Sequence, residues 1–367
     1  MDTSDPNIVF DKDGISDYYH NFHKSILPNW DTSVKGASDL EQLADKIRKE
    51  GKGKDFDCIM GMSGGLDSSY CTYIAAKKLG LRPLVFHVDA GWNTQQAVGN
   101  IEKIIEGCKL DLFTEVINWE EMKDLQRAYL KSQIPNQDDP QDVAFFSTLY
   151  KFARQHKIKY ILTGGNFSTE CCREPEEWGA YPGLDKTLVH DIHKRFGTRP
   201  LKTFPVVDIF TYKIWYKYAY GMTVVKPLNN IPYIKKEAEK ELFDVFGWEK
   251  FQHKHHESRW TRFYEDYWMP KKFGFEKRRA HFSSLILTNQ MTREEALDRI
   301  SRPEMSDEFH KQEFEFVANK LGFTVDELQE IFEGENKTFH DYNSKYWLIS
   351  LGVKVQMMLG LEKRLFR

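Results

Sequence analysis

The sequence lacks the features of secreted, membrane-spanning and disulfide-bonded proteins. It starts with the polar string MDTSDP, which has neither the basic start nor the apolar stretch of a signal peptide. Its longest apolar runs, such as residues 160–163, are much too short to cross a bilayer. Its five cysteines include no CxxC pair, which disfavours a disulfide framework or a zinc ribbon and favours buried free thiols. We therefore expect a cytoplasmic protein without a membrane span.

The sequence also has little excess of charge of one sign. The 367 residues carry a formal net charge of -3 at pH 7, whereas binding to a phosphate backbone usually needs a net basic surface. Nucleic acid is therefore disfavoured as the main partner, although a local basic patch remains compatible with this charge. Internal repeats and low-complexity tracts are absent as well.

The pattern of predicted elements divides the chain into three parts. Residues 1–50 are polar and turn-rich, and the Lys- and Gly-rich residues 48–54 are typical of a linker. Residues 51–250 alternate between strands and helices, which favours an α/β fold with a parallel sheet and helices on both faces. Residues 251–367 are mostly helical after a basic and aromatic stretch, and we expect this part to complete the site. Strands are predicted at residues 56–62, 84–88, 112–117, 159–163 and 223–226, and helices at residues 68–79, 95–108, 141–156 and 234–246.

The most informative string is SGGLDSS at residues 63–69, between the first predicted strand and the first predicted helix. Its glycines permit a tight turn, and the N–H groups at a helix start point at one spot that suits phosphate. Asp67 would repel a phosphate unless a magnesium ion bridged the two groups. The alternative is an ordinary glycine turn with a capping Ser or Asp. A Walker loop of the form GxxxxGK[ST] is absent.

The SGGxDS string resembles the signature of the PP-loop ATP pyrophosphatases. This resemblance implies a loop that binds pyrophosphate and a reaction at the α-phosphorus of ATP. HVD, TGGN and VKPL resemble further elements of that class, and each follows a predicted strand, where open α/β sheets bind their ligands. The implied nucleotide-binding residues are Ser63, Gly64, Gly65, Leu66, Asp67, Ser68, Ser69, His87, Val88, Asp89, Gly164 and Asn166.

Further strings together resemble the N-acetyl sugar amidotransferases of surface-polysaccharide and lipopolysaccharide (O-antigen) biosynthesis. They are DTSDP at 2–6, HVDAGWN at 87–93, GGN at 164–166, KHHESR at 254–259 and FGFEKRRAH at 273–281. The resemblance implies an ATP- and magnesium-dependent ligase that converts the acetamido group of a nucleotide sugar to an acetamidino group through an adenylated imidate. It also implies ammonia from a separate glutaminase and a cyclase-like barrel protein. No cysteine here stands in a GxCxG elbow, so we expect free ammonia to be used and glutamine not.

The chain departs from this family in its first 50 residues. Other members carry one CxxC before DTSDP and a second cysteine pair farther on, whereas Ser16 and Tyr19 stand at the second pair here. A structural zinc ion needs four ligands. We therefore expect the zinc-ribbon-like segment 1–50 to hold no zinc.

The remaining candidate residues each have two interpretations. Glu170 is either a second magnesium ligand beside Asp67 or a solvated residue at a helix start. Lys277 and Arg278 lie in a basic stretch without a compensating acidic run, so we expect them to hold pyrophosphate during catalysis; the alternative is a solvated helix face. The aromatic residues either stack on a sugar or pack in the core, and the histidine cluster favours an anion or substrate surface over a metal site. These residues are Trp178, Trp260, Trp268, His253, His255 and His256.

Three functions follow from these patterns. The first is the ATP-dependent amidotransfer described above. The second is a tRNA-modifying PP-loop enzyme, which the net acidity and the missing CxxC disfavour. The third is a non-catalytic scaffold for a glutaminase complex, which an intact loop with Asp67 disfavours. The patterns determine neither the sugar, nor its ring position, nor the oligomeric state.

Overall fold

The structure is a computed structural model that describes residues 1–179 and 185–364. Its strands form one parallel sheet in the order β3-β2-β1-β4-β5. The strands are β1 Cys58–Gly61, β2 Pro83–Asp89, β3 Leu112–Val116, β4 Tyr160–Leu162 and β5 Thr223–Val225. The chain runs outward from β1 to β3 and then returns to the other side of β1. The strand order therefore reverses between β1 and β4, which is where open α/β sheets form a ligand crevice.

The helices surround this sheet and form the C-terminal part. In the first half they are α1 Asp17–Asn21, α2 Val34–Glu50, α3 Leu66–Tyr73, α4 Gln95–Cys108, α5 Trp119–Ser132, α6 Asp139–Gln155, α7 Phe167–Glu170 and α8 Lys186–Phe196. In the second half they are α9 Lys235–Phe246, α10 Arg259–Phe263, α11 Arg278–Leu287, α12 Arg293–Ile300, α13 Asp307–Leu321, α14 Val325–Glu333 and α15 Tyr346–Met358. Wider π-helical turns include Thr211–Ala219 and Tyr264–Phe273.

Both faces of the inner strands β1, β2 and β4 are buried under helices. Ile59 of β1 packs into one core cluster with side chains of α5, α6 and α8. Cys58 and Met60 point the other way and pack with side chains of α2, α3, α4 and α9. Because successive side chains of a strand alternate between faces, two separate clusters require helices on both sides. The predicted α/β architecture is therefore confirmed, and the mostly helical C-terminal part follows it.

The element boundaries confirm one prediction and correct another. Helix α4 begins and ends at the predicted residues, and the Thr94 side chain caps it by accepting from the Ala97 N–H at 3.1 Å. Residues 1–50 are predicted to be polar and turn-rich, with no helix among the predicted elements, whereas α2 fills the second half of that segment. Its buried residues Leu40, Ala44 and Ile47 recur at helical spacing between charged positions, which hides the apolar stripe.

The C-terminal part is joined to the sheet by backbone pairing. Asn93, just after β2, forms an antiparallel bridge with Ser258, and the Arg259 N–H donates to the Trp92 carbonyl at 2.8 Å. A third core cluster, which contains Trp92, Trp260 and Trp268, lies behind this bridge. Trp178 is fully buried too, so core packing is the correct interpretation of the tryptophans. All five cysteines are buried and free, as predicted.

One property of the helices bears on the membrane question. Among the residues that the structure describes, every helix is too short or too polar to traverse a bilayer.

Candidate active site

The SGGLDSS string forms the turn from β1 into α3. Gly64 has φ +84°, and a Cβ there would lie 2.4 Å from the carbonyl oxygen of Ala97 in α4, so a side chain does not fit. The Ser63 N–H donates to the Ser68 hydroxyl at 3.3 Å. No described side chain caps the first turn of α3, which leaves its N–H groups for an anion.

The turn after β4 lies directly against this loop. A Cβ on Gly164 would lie 2.6 Å from the carbonyl carbon of Asp67 and 2.9 Å from the backbone nitrogen of Ser68. Asn166 caps α7 by accepting from the Thr169 N–H at 2.8 Å, and its amide donates to Asp67 at 3.3 Å. The two predicted nucleotide-contacting turns are therefore brought together at the crevice between β1 and β4.

Asp67 lies at the centre of a polar network. The Tyr233 hydroxyl donates to one of its oxygens at 2.5 Å. The Lys254 ammonium is 3.6 Å from the other oxygen and 2.5 Å from the carboxylate of Glu170. Lys254 therefore bridges the two carboxylates that the sequence predicts as magnesium ligands. Glu170 is an ion-paired residue rather than a solvated one.

The electrostatics of this bridge stabilise its charged form. Burial alone would lower the pKa of Lys254, but Glu170 and Asp67 outweigh burial and raise that pKa. Burial would raise the pKa of Glu170, but Lys254 brings it down to about 2. At neutral pH the ionised Glu170 carboxylate therefore faces the charged Lys254 ammonium.

A third carboxylate occupies the mouth of the loop. The Ser63 hydroxyl donates to Glu257 at 3.0 Å, and a Cβ on Gly65 would lie 2.6 Å from the same carboxylate oxygen. The Glu257 carbonyl accepts from the Thr94 N–H at 3.0 Å, which holds this residue beside the loop. A phosphate that approaches the loop N–H groups would meet this negative charge, so Glu257 has to move or share a cation when an anion binds.

Three site residues carry no signal in the sequence that indicates a role: Lys254, Glu257 and Tyr233. Lys254 and Glu257 lie in the KHHESR string, which contributes to the family resemblance but indicates no role for either residue. Tyr233 belongs to no recognised string at all. No local spacing links these residues to the loop, because only the fold brings them to the same edge of the sheet.

The other predicted nucleotide-binding residues have structural partners. His87 Nδ1 is 2.8 Å from the Met62 carbonyl oxygen, and its Nε2 is 2.9 Å from the Asn93 amide. In these contacts Nδ1 donates to the carbonyl and Nε2 accepts from the amide. The side chains of Val88 and Ser69 are buried, while Asp89 accepts from the Gly91 N–H at 2.7 Å. Any nucleotide contact of this segment would therefore come from its backbone, as the resemblance implies.

A cavity of about 310 Å³ opens beside Glu170 and Lys254. Its wall carries cations and carboxylates in nearly equal number, a mixture that suits a phosphorylated, hydroxyl-rich ligand. The cations are Arg173, Lys235, Lys254, Lys277, Arg278, Arg299 and Arg364, and the carboxylates are Glu170, Glu174, Glu265, Asp266 and Glu304. Except for Lys235 at the start of α9, they come from residues 170–174 or from the C-terminal part.

Lys277 and Arg278 both line this cavity, but not as free cations. The Lys277 ammonium lies 3.2 Å from Glu265 and 3.5 Å from Glu174. The Arg278 guanidinium pairs with Glu276 at 2.7 Å and with Glu304 at 2.8 Å. The expectation that no acidic residues compensate these cations is wrong, because Glu276 lies beside Arg278 and the fold brings further carboxylates from other segments onto both cations. Their contact with pyrophosphate stays a prediction, and it would require them to exchange partners.

Each histidine of the predicted cluster has its own carboxylate. His253 pairs with Glu304 at 2.6 Å, His255 with Glu265 at 3.0 Å and His256 with Asp266 at 2.9 Å. Burial would lower the pKa of His255, but Glu265 raises it to about 9. Within residues 1–179 and 185–364, no group of three or more His, Cys, Asp or Glu side chains is placed to hold a metal ion. The absence of zinc remains a prediction.

Comparison with known proteins identifies the C-terminal part. Residues 257–356 match the family described as "LPS biosynthesis protein WbpG-like, C-terminal domain". This match confirms the predicted resemblance to proteins of lipopolysaccharide biosynthesis. A search of curated protein sequences finds no match to the chain.

The chain also has weak likenesses to solved structures. An NMN synthetase from Francisella tularensis is 13% identical over 69% of this chain and 93% of its own, with a TM-score of 0.36. An NAD+ synthetase from Burkholderia pseudomallei is 16% identical over 63% of this chain and 92% of its own, with a TM-score of 0.30. Scores this low support no inference about activity.

Proposed function

We propose that the chain is an ATP-dependent amidotransferase of lipopolysaccharide biosynthesis, the pathway of the WbpG-like family that residues 257–356 match. Its substrate is a nucleotide sugar with an acetamido group, which it converts to an acetamidino group. ATP is cleaved to AMP and pyrophosphate, and ammonia provides the new nitrogen. The observation that carries this proposal is the contact between the SGGLDSS loop and the TGGN turn around Asp67, beside a charged cavity.

The chemistry requires the amide oxygen to become a leaving group. In the first step that oxygen attacks the α-phosphorus of ATP, the bond to the β-phosphate oxygen breaks and pyrophosphate leaves. In the second step ammonia adds to the imidate carbon, a proton is lost, and AMP departs with the original oxygen. Both steps build negative charge on phosphate oxygens, which positioned donors have to stabilise.

The described residues supply those donors. In this proposal the uncapped N–H groups at the start of α3 bind the pyrophosphate, and the hydroxyls of Ser63 and Ser68 donate to it after they leave Glu257 and the Gly65 carbonyl. Lys254 adds an ammonium next to the loop, and its release from Glu170 and Asp67 would free it to follow the departing phosphates. Backbone contacts of the residues at the end of β2 hold the adenine in this proposal.

The residues around Asp67 also fit a magnesium ion. Magnesium in nucleotide sites is bound by one or two carboxylates, together with phosphates and water. Asp67 and Glu170 form such a pair, because they already share one cation, the Lys254 ammonium. When bound, magnesium would neutralise phosphate charge.

The cavity provides room for the second substrate. It adjoins Glu170, so a sugar in it would place its acetamido group close to the nucleotide crevice. Its cations suit the diphosphate of a nucleotide sugar, and its carboxylates suit hydroxyl groups. We assign ammonia delivery to a separate glutaminase and a cyclase-like partner, since no cysteine of this chain stands in a nucleophile elbow.

The test is a reaction with a panel of N-acetylated nucleotide sugars, ATP, magnesium and ¹⁵N-labelled ammonium. We expect one sugar to gain the labelled nitrogen and AMP to form in equal amount, with no reaction when glutamine replaces ammonium. In the unlabelled reaction the product is lighter by about one mass unit, because NH replaces O. Parallel reactions contain bulk tRNA instead of sugars. Formation of ADP, or AMP formation that depends on tRNA, would contradict the proposal.

A further inference from the structure

Helix α15 presents apolar side chains to solvent. Ile349 on its inner side is buried, whereas a stripe at spacings of three and four residues is exposed. The stripe consists of Trp347, Leu348, Leu351, Val355, Met358 and Leu359. Trp347 is 69% exposed and Met358 is 87% exposed. A surface helix normally carries polar residues on this side, so a stripe that no described residue covers indicates a binding surface.

The π-helical segment Thr211–Ala219 has the same character. Ile214, Trp215 and Tyr218 are exposed, while Tyr216 on its inner side packs into the core cluster that also receives Tyr346 of α15. Both helical segments therefore pack on the same core cluster. We call their exposed side chains the apolar surface.

The charges on these two segments have one sign. They contain Lys213, Lys217 and Lys354 and no acidic residue. All three lysines are exposed. Burial and Arg173 lower the pKa of Lys213, while Glu362 acts in the opposite direction. Lys213 therefore lies within electrostatic range of the chain that follows α15, which supports the adjacency of the two segments.

We propose that the apolar surface binds the face of an anionic membrane. Tryptophan, tyrosine and long apolar side chains insert at the level of the lipid headgroups, and flanking lysines pair with anionic lipids. Two copies of this chain would bring like lysines together in a symmetric contact, without a carboxylate on either helix to compensate. A protein would need an acidic rim around its own apolar groove, and it is the alternative that the experiment has to exclude.

The experiment is co-sedimentation of the full chain with phosphatidylcholine vesicles, with and without phosphatidylglycerol. We expect binding only to the anionic vesicles, and binding that weakens as salt is added. The double variant Trp347→Ser, Met358→Ser should bind at least about tenfold more weakly, because two inserted side chains are lost. The matched control is Val34→Ser, Phe243→Ser, which removes exposed apolar side chains from other helices and should bind like the unchanged chain.

A charge series tests the second part of the proposal. Changing Lys213, Lys217 and Lys354 to Gln should weaken binding to anionic vesicles roughly a hundredfold. Changing the exposed residues Lys12, Lys24 and Lys52 to Gln alters the net charge equally and should have little effect.

Several outcomes would overturn the proposal. They are equal binding to neutral vesicles, no binding to anionic ones, or equal losses in the control variants. A dimer that forms without vesicles and dissociates in the Trp347→Ser variant would assign the apolar surface to a second copy. A purified glutaminase that binds the unchanged chain but not this variant, without any lipid binding, would assign it to a protein.

Discussion

The loop edge of the site and the adjoining cavity are built in opposite ways. The loop edge consists of glycines, hydroxyls and backbone N–H groups from two contiguous strings, SGGLDSS and TGGN. The cavity wall contains charged side chains in pairs, such as Lys277 with Glu265 and Arg278 with Glu304, which come from separate segments. Once Glu257 moves aside, the uncapped N–H groups at the start of α3 can accept an anion by adding bonds, whereas the cavity can do so only by exchanging existing ones.

This difference indicates which of the two regions discriminates between ligands. Backbone donors at a helix start bind any phosphate of suitable shape, since they have no charged partner to lose. An ion-paired wall accepts a ligand only if that ligand replaces every partner it displaces, because a buried charge left alone is costly. We therefore expect the loop edge to determine whether the reaction occurs and the cavity to determine which sugar reacts.

The largest effect should come from the loop edge. Asp67→Asn keeps the shape of the side chain but removes the charge that faces Lys254 and the expected magnesium ion. We expect AMP formation to fall roughly a thousandfold at saturating ATP and magnesium, while the melting temperature stays unchanged. Asp39→Asn on the exposed side of α2 is the matched control. Wild-type turnover by Asp67→Asn at saturating magnesium would remove the metal role of this residue.

The next largest effect tests whether cavity cations act on phosphate. If Lys277 and Arg278 hold pyrophosphate, each change to Ala should slow pyrophosphate release between about thirtyfold and a thousandfold, or ~2–4 kcal/mol. Because Lys277→Ala leaves Glu265 without one of its partners, its melting temperature has to be measured alongside. Lys277→Arg keeps the charge and is the control. Rates within about threefold of wild type for both Ala variants would leave pyrophosphate to the loop and magnesium alone.

A smaller effect concerns the carboxylate at the mouth of the loop. Glu257→Gln retains the contact with Ser63 but removes the charge that opposes phosphate. We expect the KM for ATP to fall by roughly three- to tenfold, with kcat little changed. Glu257→Asp, which keeps the charge, should not show this gain. A higher KM in Glu257→Gln would mean that the carboxylate assists nucleotide binding, and the contrast between the two regions would then be weaker.

The smallest effect concerns the stability of the cavity wall. The folded-state pKa of His255 is about 9, above its ordinary value, so the pair with Glu265 contributes stability at pH 6 and loses it as pH rises through 9. Since His255 is partly exposed, solvent screens the pair, and we expect at most ~1 kcal/mol, or roughly 2 °C. His255→Gln should therefore melt lower than wild type at pH 6 and equally at pH 10. A constant difference across this range would exclude the ion pair as the cause.

The two regions also differ in how far the sequence predicts them. Strand alternation and the helix α4 are local patterns of burial, and SGGLDSS is a contiguous turn, so each is visible in a short window. The partners of Lys277 and Arg278 are not, because Glu174 and Glu304 reach them only after α7, α11 and the C-terminal helices have packed. Helix α2 is not predicted for another reason. Its apolar stripe is narrow, and the many charged residues between the apolar positions make its periodicity hard to recognise.

Domain boundaries were predicted from composition, and the contacts cross one of them. The predicted boundary near residue 250 separates Lys254 and Glu257 from the loop that they contact. A change in composition reports a change in surface and packing, but it does not report which residues of the following part contact the loop.

The separations between the contacting residues have a consequence for synthesis on the ribosome. Asn166 meets Asp67 across 99 residues, and Glu257 meets Ser63 across 194. During translation the loop emerges first and remains without either contact until much of the chain has followed it. A nascent chain therefore cannot form both contacts early. A chain stalled before residue 250 would lack Glu257, so the loop would remain without one of its two contacts.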